Sequence, residues 1–131
     1  MKKHKIAAVA LYNDNKEILL QLRAKDDSRY PSLWGLFGGH IDENENPKEA
    51  VLRETKEELD YELKDPRFID CFDINDRYGG EIVYVFSERY DPSKPLSQHE
   101  GADMRWFSLE EIKKLRATPR IYEVARAAIT E

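Results

Sequence analysis

Residues 46–60, NPKEAVLRETKEELD, carry the signals for one helix and for both of its ends. That helix constrains the fold more than any other stretch. Asn46 is a favoured N-cap, Pro47 suits the first turn, and Glu49 completes an Asn-x-x-Glu capping box. At about 100° per residue, Val51, Leu52, Thr55 and Leu59 fall within one arc of about 100°, a face made for a core. Lys56, Glu49 and Arg53 point the other way, into water. Glu54, Glu57 and Glu58 fill a third arc, with Ala50 beside Glu54 leaving open space. Three carboxylates therefore share the border of the core, although like charges at that spacing cost roughly 0.2–0.5 kcal/mol per pair. A solvated face with ion pairs such as Arg53–Glu57 is one account of them. A hard divalent cation is the other, because Mg²⁺ takes oxygen ligands and keeps several waters. The helix alone does not separate the two.

The apolar stripe needs a partner layer, and the rest of the chain supplies strands. Residues 5–12 (KIAAVALY) and 17–24 (EILLQLRA) read as two strands joined by the turn NDNK. SLWGLFGG predicts a short strand running into a glycine loop. RFIDCFDI (67–74) and EIVYVFSERY (81–90) predict a hairpin across NDRYGG, and MRWFS (104–108) a further strand. SLEEIKKL predicts a helix with Ser108 and Glu111 as a capping box. TPRIYEVARAAI predicts another, with Thr118 as cap and Pro119 at its first position. The longest loop is 91–103, and long loops in compact domains often carry function. Antiparallel hairpins mixed with separate helices predict an α/β fold, a mixed sheet with helices on its faces. At 131 residues the chain is one domain's worth, residues 1–131.

A net charge of −5 argues against a nucleic-acid polymer as partner, which calls for a basic footprint. The single cysteine, Cys71, excludes an intrachain disulfide and suits a reducing compartment, so a cytoplasmic setting is expected. Between Ile69 and Phe72 in a strand, it reads as an inert core thiol. MKKHKIAAVALY faintly resembles a signal peptide, but a buried strand entering a tight turn fits its short apolar run better. No segment reaches the roughly 20 apolar residues of a membrane helix, so no membrane partner is expected.

The residues before the helix decide what its acids are for. Gly39, five residues, Glu45, seven residues, then Arg53-Glu54-Thr55-Lys56-Glu57-Glu58-Leu59-Asp60-Tyr61 resembles the signature of the Nudix (MutT-like) hydrolases. That signature is Gly-x5-Glu-x7-Arg-Glu-U-x-Glu-Glu-x-Gly-U, with U bulky and apolar. Six of its seven fixed positions match, and Asp60 stands where the last glycine belongs. That position ends a helix in the left-handed region, which Asp tolerates better than most residues. An EF-hand reading from Asp42 fails, with Pro47 at the glycine position and Arg53 at the final glutamate position.

The resemblance implies an α/β/α sandwich and Mg²⁺-dependent hydrolysis of a nucleoside diphosphate linked to another group, with Mn²⁺ able to substitute. It implies Glu54, Glu57 and Glu58 as metal ligands together with the Gly38 carbonyl, and Glu45 and Arg53 as groups that orient the carboxylates. The general base is either a glutamate of the signature or Glu100, a loop acid a few residues before Trp106. Arg23 resembles arginines that reach substrate phosphates; its alternative is a strand-end surface charge. Trp34, Tyr78, Phe37 and Tyr84 are candidates to stack on a nucleobase, or are simply sheet and core aromatics. The short single-domain form resembles nucleoside-triphosphate pyrophosphohydrolases, which act on a (d)NTP or oxidised (d)NTP and release a monophosphate and pyrophosphate. Nucleotide-sugar or dinucleoside-polyphosphate hydrolysis, or a non-hydrolytic nucleotide-sensing module, are the alternatives. A homodimer is common among relatives.

Overall fold

The computed structural model describes residues 3–99 and 101–130. Its elements are β1 (His4–Tyr12), β2 (Glu17–Leu22), β3 (Trp34–Gly35), β4 (Phe37–His40), α1 (Pro47–Leu59), β5 (Arg67–Asp76), β6 (Gly79–Arg89), β7 (Asp103–Ser108), α2 (Leu109–Ile112) and α3 (Ile121–Ile129). The sheet runs β3-β2-β1-β6-β5, with β4 paired to β1 and β7 paired to β2. β1 and β6 run parallel from His4↔Glu81 to Tyr12↔Arg89, while the other strand pairs are antiparallel. Such a mixed sheet needs cover on both faces. The α1 face packs Val51 and Leu59 on Ala7, Val9, Leu11 and Phe37. On the opposite face, Ile121, Val124 and Ala125 of α3 meet Ala10, Ile18, Phe72 and Val85. The result is the α/β/α sandwich expected from the sequence. Among the described residues no helix is long and apolar enough to cross a membrane.

Both capping boxes form as written: Asn46 accepts from the Glu49 N–H while Glu49 accepts from the Asn46 N–H, and Ser108 and Glu111 do the same. Three local expectations are corrected. Thr118 and Pro119 do not open α3, which begins at Ile121 behind a left-handed Arg120. The preceding segment is spent on the sheet, since the Thr118 N–H donates to the Trp34 carbonyl and Ala117 bridges to Trp34. The Ser108 helix is short, ending at Ile112 instead of running on through Leu115. Cys71 is exposed, not core: β5 is an edge strand and Phe72 takes the inward position; partial desolvation, then the neighbouring Asp70 and Asp73, raise its thiol pKa.

Asp60 ends α1 at φ 55°, with its N–H on the Lys56 carbonyl. Among the described residues its side chain bonds only to the His99 ring at the surface, an interaction of little worth. Glycine suits that backbone better. Asp60→Gly is therefore expected to raise the denaturant midpoint by the equivalent of a few tenths of a kcal/mol. Unchanged or lower stability would show that the His99 contact outweighs the backbone term.

Candidate active site

The acidic border of α1 is organised by one side chain. Arg53 donates through Nε and Nη2 to Glu45 at 2.7 and 2.9 Å, and through Nη1 to Glu54 at 2.9 Å and Glu57 at 3.1 Å. Nη2 also donates to the His40 carbonyl at 3.1 Å. The helical wheel pointed Arg53 into water; in the fold it is 30% exposed, hydrogen-bonded to Glu45, Glu54 and Glu57, and 3.5 Å from the Asp42 carboxylate. A guanidinium offers five donors in a rigid fork, so a single cation can answer the repulsion among several acids. Hydrogen bonding from Arg53, and then from the Asp42 N–H, draws the Glu45 carboxyl down to about 2. Glu45 in turn holds Arg53 above its ordinary range.

The three signature glutamates differ in setting. Glu57 is 57% exposed, Glu54 only 16%, and Glu58 is buried. Helical geometry explains the last: Glu58 lies only about 20° around the helix from Val51. Among the described residues no three His, Cys, Asp or Glu side chains converge on a metal-sized point. The donor chemistry nevertheless fits a hard cation, being all carboxylate oxygen. So does the space beside it. A Cβ on Gly39 would fall on the Glu54 carboxyl group, within 2.5 and 2.6 Å of its oxygens. Gly38 faces β1 instead, where a Cβ would overlap the Ala7 carbonyl and lie 2.7 Å from Ala8 Cα.

The described residues between β6 and β7 dock against the C-terminal end of α1. The Ser97 N–H donates to the Leu59 carbonyl at 2.9 Å, and the His99 N–H to the Glu58 carbonyl at 2.8 Å. Beyond it, the Ala102 N–H donates to Leu22 at the end of β2. Glu100 itself lies outside the described residues.

On the α3 side of the sheet a cavity of about 200 Å³ reaches the same glycines. Its floor is the apolar stripe Ile6 and Ala8 of β1, Phe72 and Ile74 of β5, and Val83 and Val85 of β6; Ile121 and Val124 of α3 wall it. Its rim carries the guanidinium groups of Arg23, Arg29 and Arg120, the Glu81 carboxylate and the His40 imidazole, whose pKa burial lowers, and Gly38 and Gly39 form the end nearest Glu54. Cation-lined walls of low polarity concentrate anions. Arg23 lines this rim, where it donates to the Arg29 carbonyl at 2.9 Å and pairs with Asp27 at 3.0 Å. Trp34 and Tyr78 do not line the cavity. Trp34 packs edge-on to Phe107 at 4.8 Å, and Tyr78 packs edge-on to Tyr30 at 4.7 Å. Phe37 is buried under α1.

Residues 23–33 strap the cavity mouth to the β5–β6 hairpin. Arg29 pairs with Glu81 and the Tyr30 hydroxyl donates to Asp76. Burial and Asp76 push the Tyr30 hydroxyl up to about 12. Arg29 Nε is buried with no hydrogen-bond partner among the described residues, a deficit of about 1–3 kcal/mol for such a donor. Arg29, Tyr30, Glu81 and Arg120 were not singled out from the sequence. One signal for Glu81 was present: it stands two residues before Val83 and four before Val85, in phase with an apolar stripe.

The sequence model of the NUDIX domain matches residues 2–128. The chain belongs to the Nudix hydrolase family. A Nudix hydrolase of Listeria innocua, itself uncharacterised, is 26% identical over 117 residues, covering 88% of this chain and 69% of that protein. The isopentenyl-diphosphate Delta-isomerase of Salmonella paratyphi B is 27% identical over 117 residues, covering 83% of this Nudix chain and 65% of the isomerase. This Nudix chain thus spans about two thirds of the length of these relatives. The crystal structure of a MutT Nudix hydrolase from Burkholderia pseudomallei superposes with a TM-score of 0.84 at 23% identity, covering 97% of this chain and 98% of the other. The fold is therefore that of a Nudix hydrolase from end to end of the described chain.

Proposed function

We propose that this Nudix hydrolase is a Mg²⁺-dependent pyrophosphohydrolase that cleaves a phosphoanhydride of a nucleotide, with a (d)NTP or oxidised (d)NTP as substrate and a monophosphate and pyrophosphate as products. The observation that carries this reading is the meeting of two surfaces at Gly38–Gly39. On one side lies the carboxylate border of α1, on the other a cavity with an apolar floor and a cationic rim. Glu54, Glu57 and Glu58, with the Gly38 carbonyl, would hold the cation; Mn²⁺ has the same oxygen preference. When bound, such an ion neutralises phosphate charge and lowers the pKa of a coordinated water.

The protein's own contribution is positional. Arg53 keeps Glu45, Glu54 and Glu57 gathered before any ion arrives, so less ordering is needed on binding. Arg23 at the rim would take a phosphate through its planar fork. The proton acceptor is a signature glutamate or Glu100, and the His99–Glu58 backbone bond draws the neighbour of Glu100 to the end of α1.

Incubation with Mg²⁺ and a panel of (d)NTPs, 8-oxo-dGTP, ADP-ribose, nucleotide sugars and a diadenosine polyphosphate tests the reading. Pyrophosphate release from a triphosphate, abolished by EDTA and restored by Mg²⁺ or Mn²⁺, is expected. Turnover confined to nucleotide sugars or dinucleoside polyphosphates would replace the substrate. Nucleotide binding without turnover anywhere would make the domain a sensor.

A further inference from the structure

The cavity floor has one feature that the hydrolytic chemistry does not use. Glu81, Val83 and Val85 alternate onto the same face of β6; in register with them lie His4, Ile6 and Ala8 of β1 and Ile74, Phe72 and Asp70 of β5, of which Ile6, Ala8, Phe72 and Ile74 line the cavity. Glu81 is thus a carboxylate ending an otherwise apolar stripe. Its side chain is only 13% exposed, and its partner Arg29 is 19% exposed. Burying two charges beside apolar side chains is a poor route to stability, and well-packed hydrophobic residues serve as well or better. Nor is the pair needed to anchor the strap, since Tyr30 already binds Asp76 by its hydroxyl and Tyr78 by its ring. The protein alone does not satisfy the pair either: Arg29 spends one nitrogen on Glu81, and its Nε finds no partner among the described residues.

Resting on the proposed nucleotide reading of the same cavity, we infer that Glu81 and Arg29 form a specificity-determining pair that reads the polar edge of a nitrogen heterocycle lying on the Ile6–Ile74–Val83 floor. Every nucleobase presents N–H donors beside oxygen or nitrogen acceptors along its edges. A carboxylate accepts from the former and a guanidinium donates to the latter, so the two side chains complement such an edge. The apolar floor takes the ring's flat faces, and the cationic rim leads its phosphates toward Gly38–Gly39. A site built to hydrogen-bond an N–H rejects an analogue that lacks it, because its own polar groups are then left unpaired.

Binding tests this independently of turnover. Calorimetry in EDTA, where the proposed hydrolysis is off, would compare nucleoside triphosphates of all four bases with ribose 5-triphosphate lacking a base, for wild type and Glu81→Gln. At least a tenfold preference for one or more nucleotides over the base-free compound is expected in the wild type. Glu81→Gln should reduce that preference by tenfold or more while leaving the base-free affinity unchanged. Equal weakening toward both compounds would mean that the pair only anchors the strap, and no change would mean that Glu81 reads nothing; either overturns the inference. If Glu81→Gln does not fold, Glu81→Asp keeps the charge beside Arg29 but withdraws it by one methylene, and the same comparison decides. The two readings fail separately. Hydrolysis with no base preference removes only this inference. Base-selective binding that Glu81→Gln erases, with no hydrolysis, removes only the enzymatic reading.

Discussion

Glu57→Gln is expected to lower Mg²⁺-dependent turnover by at least about 10²-fold while leaving the fold intact. The separation follows from where Glu57 sits. Its side chain is 57% exposed and, among the described residues, bonds only to Arg53, at 3.1 and 3.4 Å. Losing an exposed i, i+4 ion pair costs about 0.3–0.5 kcal/mol, so the melting temperature should move by no more than a degree or two. The amide keeps the shape but gives up the negative charge, and a hard cation discriminates strongly between the two. Glu58→Gln should also be inactive, but Glu58 is buried against the core stripe, so its loss of activity would be mixed with repacking. Glu57 is the cleaner probe. Retained turnover in Glu57→Gln would exclude this carboxylate from the metal set and would move attention to Glu54, Glu58 and Glu100.

The adjacent glycines offer the second large effect, and they should fail in opposite ways. At Gly38 an added methyl meets backbone: the Ala7 carbonyl oxygen and Ala8 Cα of the paired strand β1. Backbone in a central strand has nowhere to go, so Gly38→Ala should destabilise by about 1–3 kcal/mol, as overpacking does. At Gly39 the added methyl meets the end of the Glu54 side chain. That carboxylate can swing aside, so Gly39→Ala should cost less than about 1 kcal/mol of stability. It should, however, raise the Mg²⁺ concentration needed for half-maximal activity by about tenfold or more, because the displaced group is a proposed ligand. Denaturant melts and Mg²⁺ titrations of the two variants check this. Loss of stability without a Mg²⁺ effect at Gly39 would place Glu54 outside the metal set.

Much of the site was legible because its signals are local. The Asn46–Glu49 and Ser108–Glu111 boxes each close within one turn, and the 3.6-residue period alone groups Glu54, Glu57 and Glu58. The same wheel also held one thing overlooked: Glu58 lies next to Val51, which makes it the buried member of the trio. Arg53 lies next to Glu57, and the ion pair weighed for them from the sequence forms within a cluster that also takes in Glu45 and Glu54. Where a local signal misled, a distant contact had outweighed it. Thr118-Pro119 is a good helix start, but the Thr118 N–H was claimed by Trp34, 84 residues earlier in the chain. Cys71 sits in an apolar run, yet β5 is an edge strand, and only the strand order reveals that.

The sequence by itself determined the α1 helix, its caps and the spacing of its acids, because hydrogen bonds and side-chain neighbours within a helix never reach beyond about four residues. The cavity belongs to the tertiary structure. Arg29 and Glu81 are 52 residues apart, and Tyr30 and Asp76 are 46 apart. They meet only once β1 has paired in parallel with β6 and the strap has crossed to the hairpin. Strand order and register come from closing long loops around a shared apolar core, a choice made among whole-chain arrangements, and no short window of residues records its outcome.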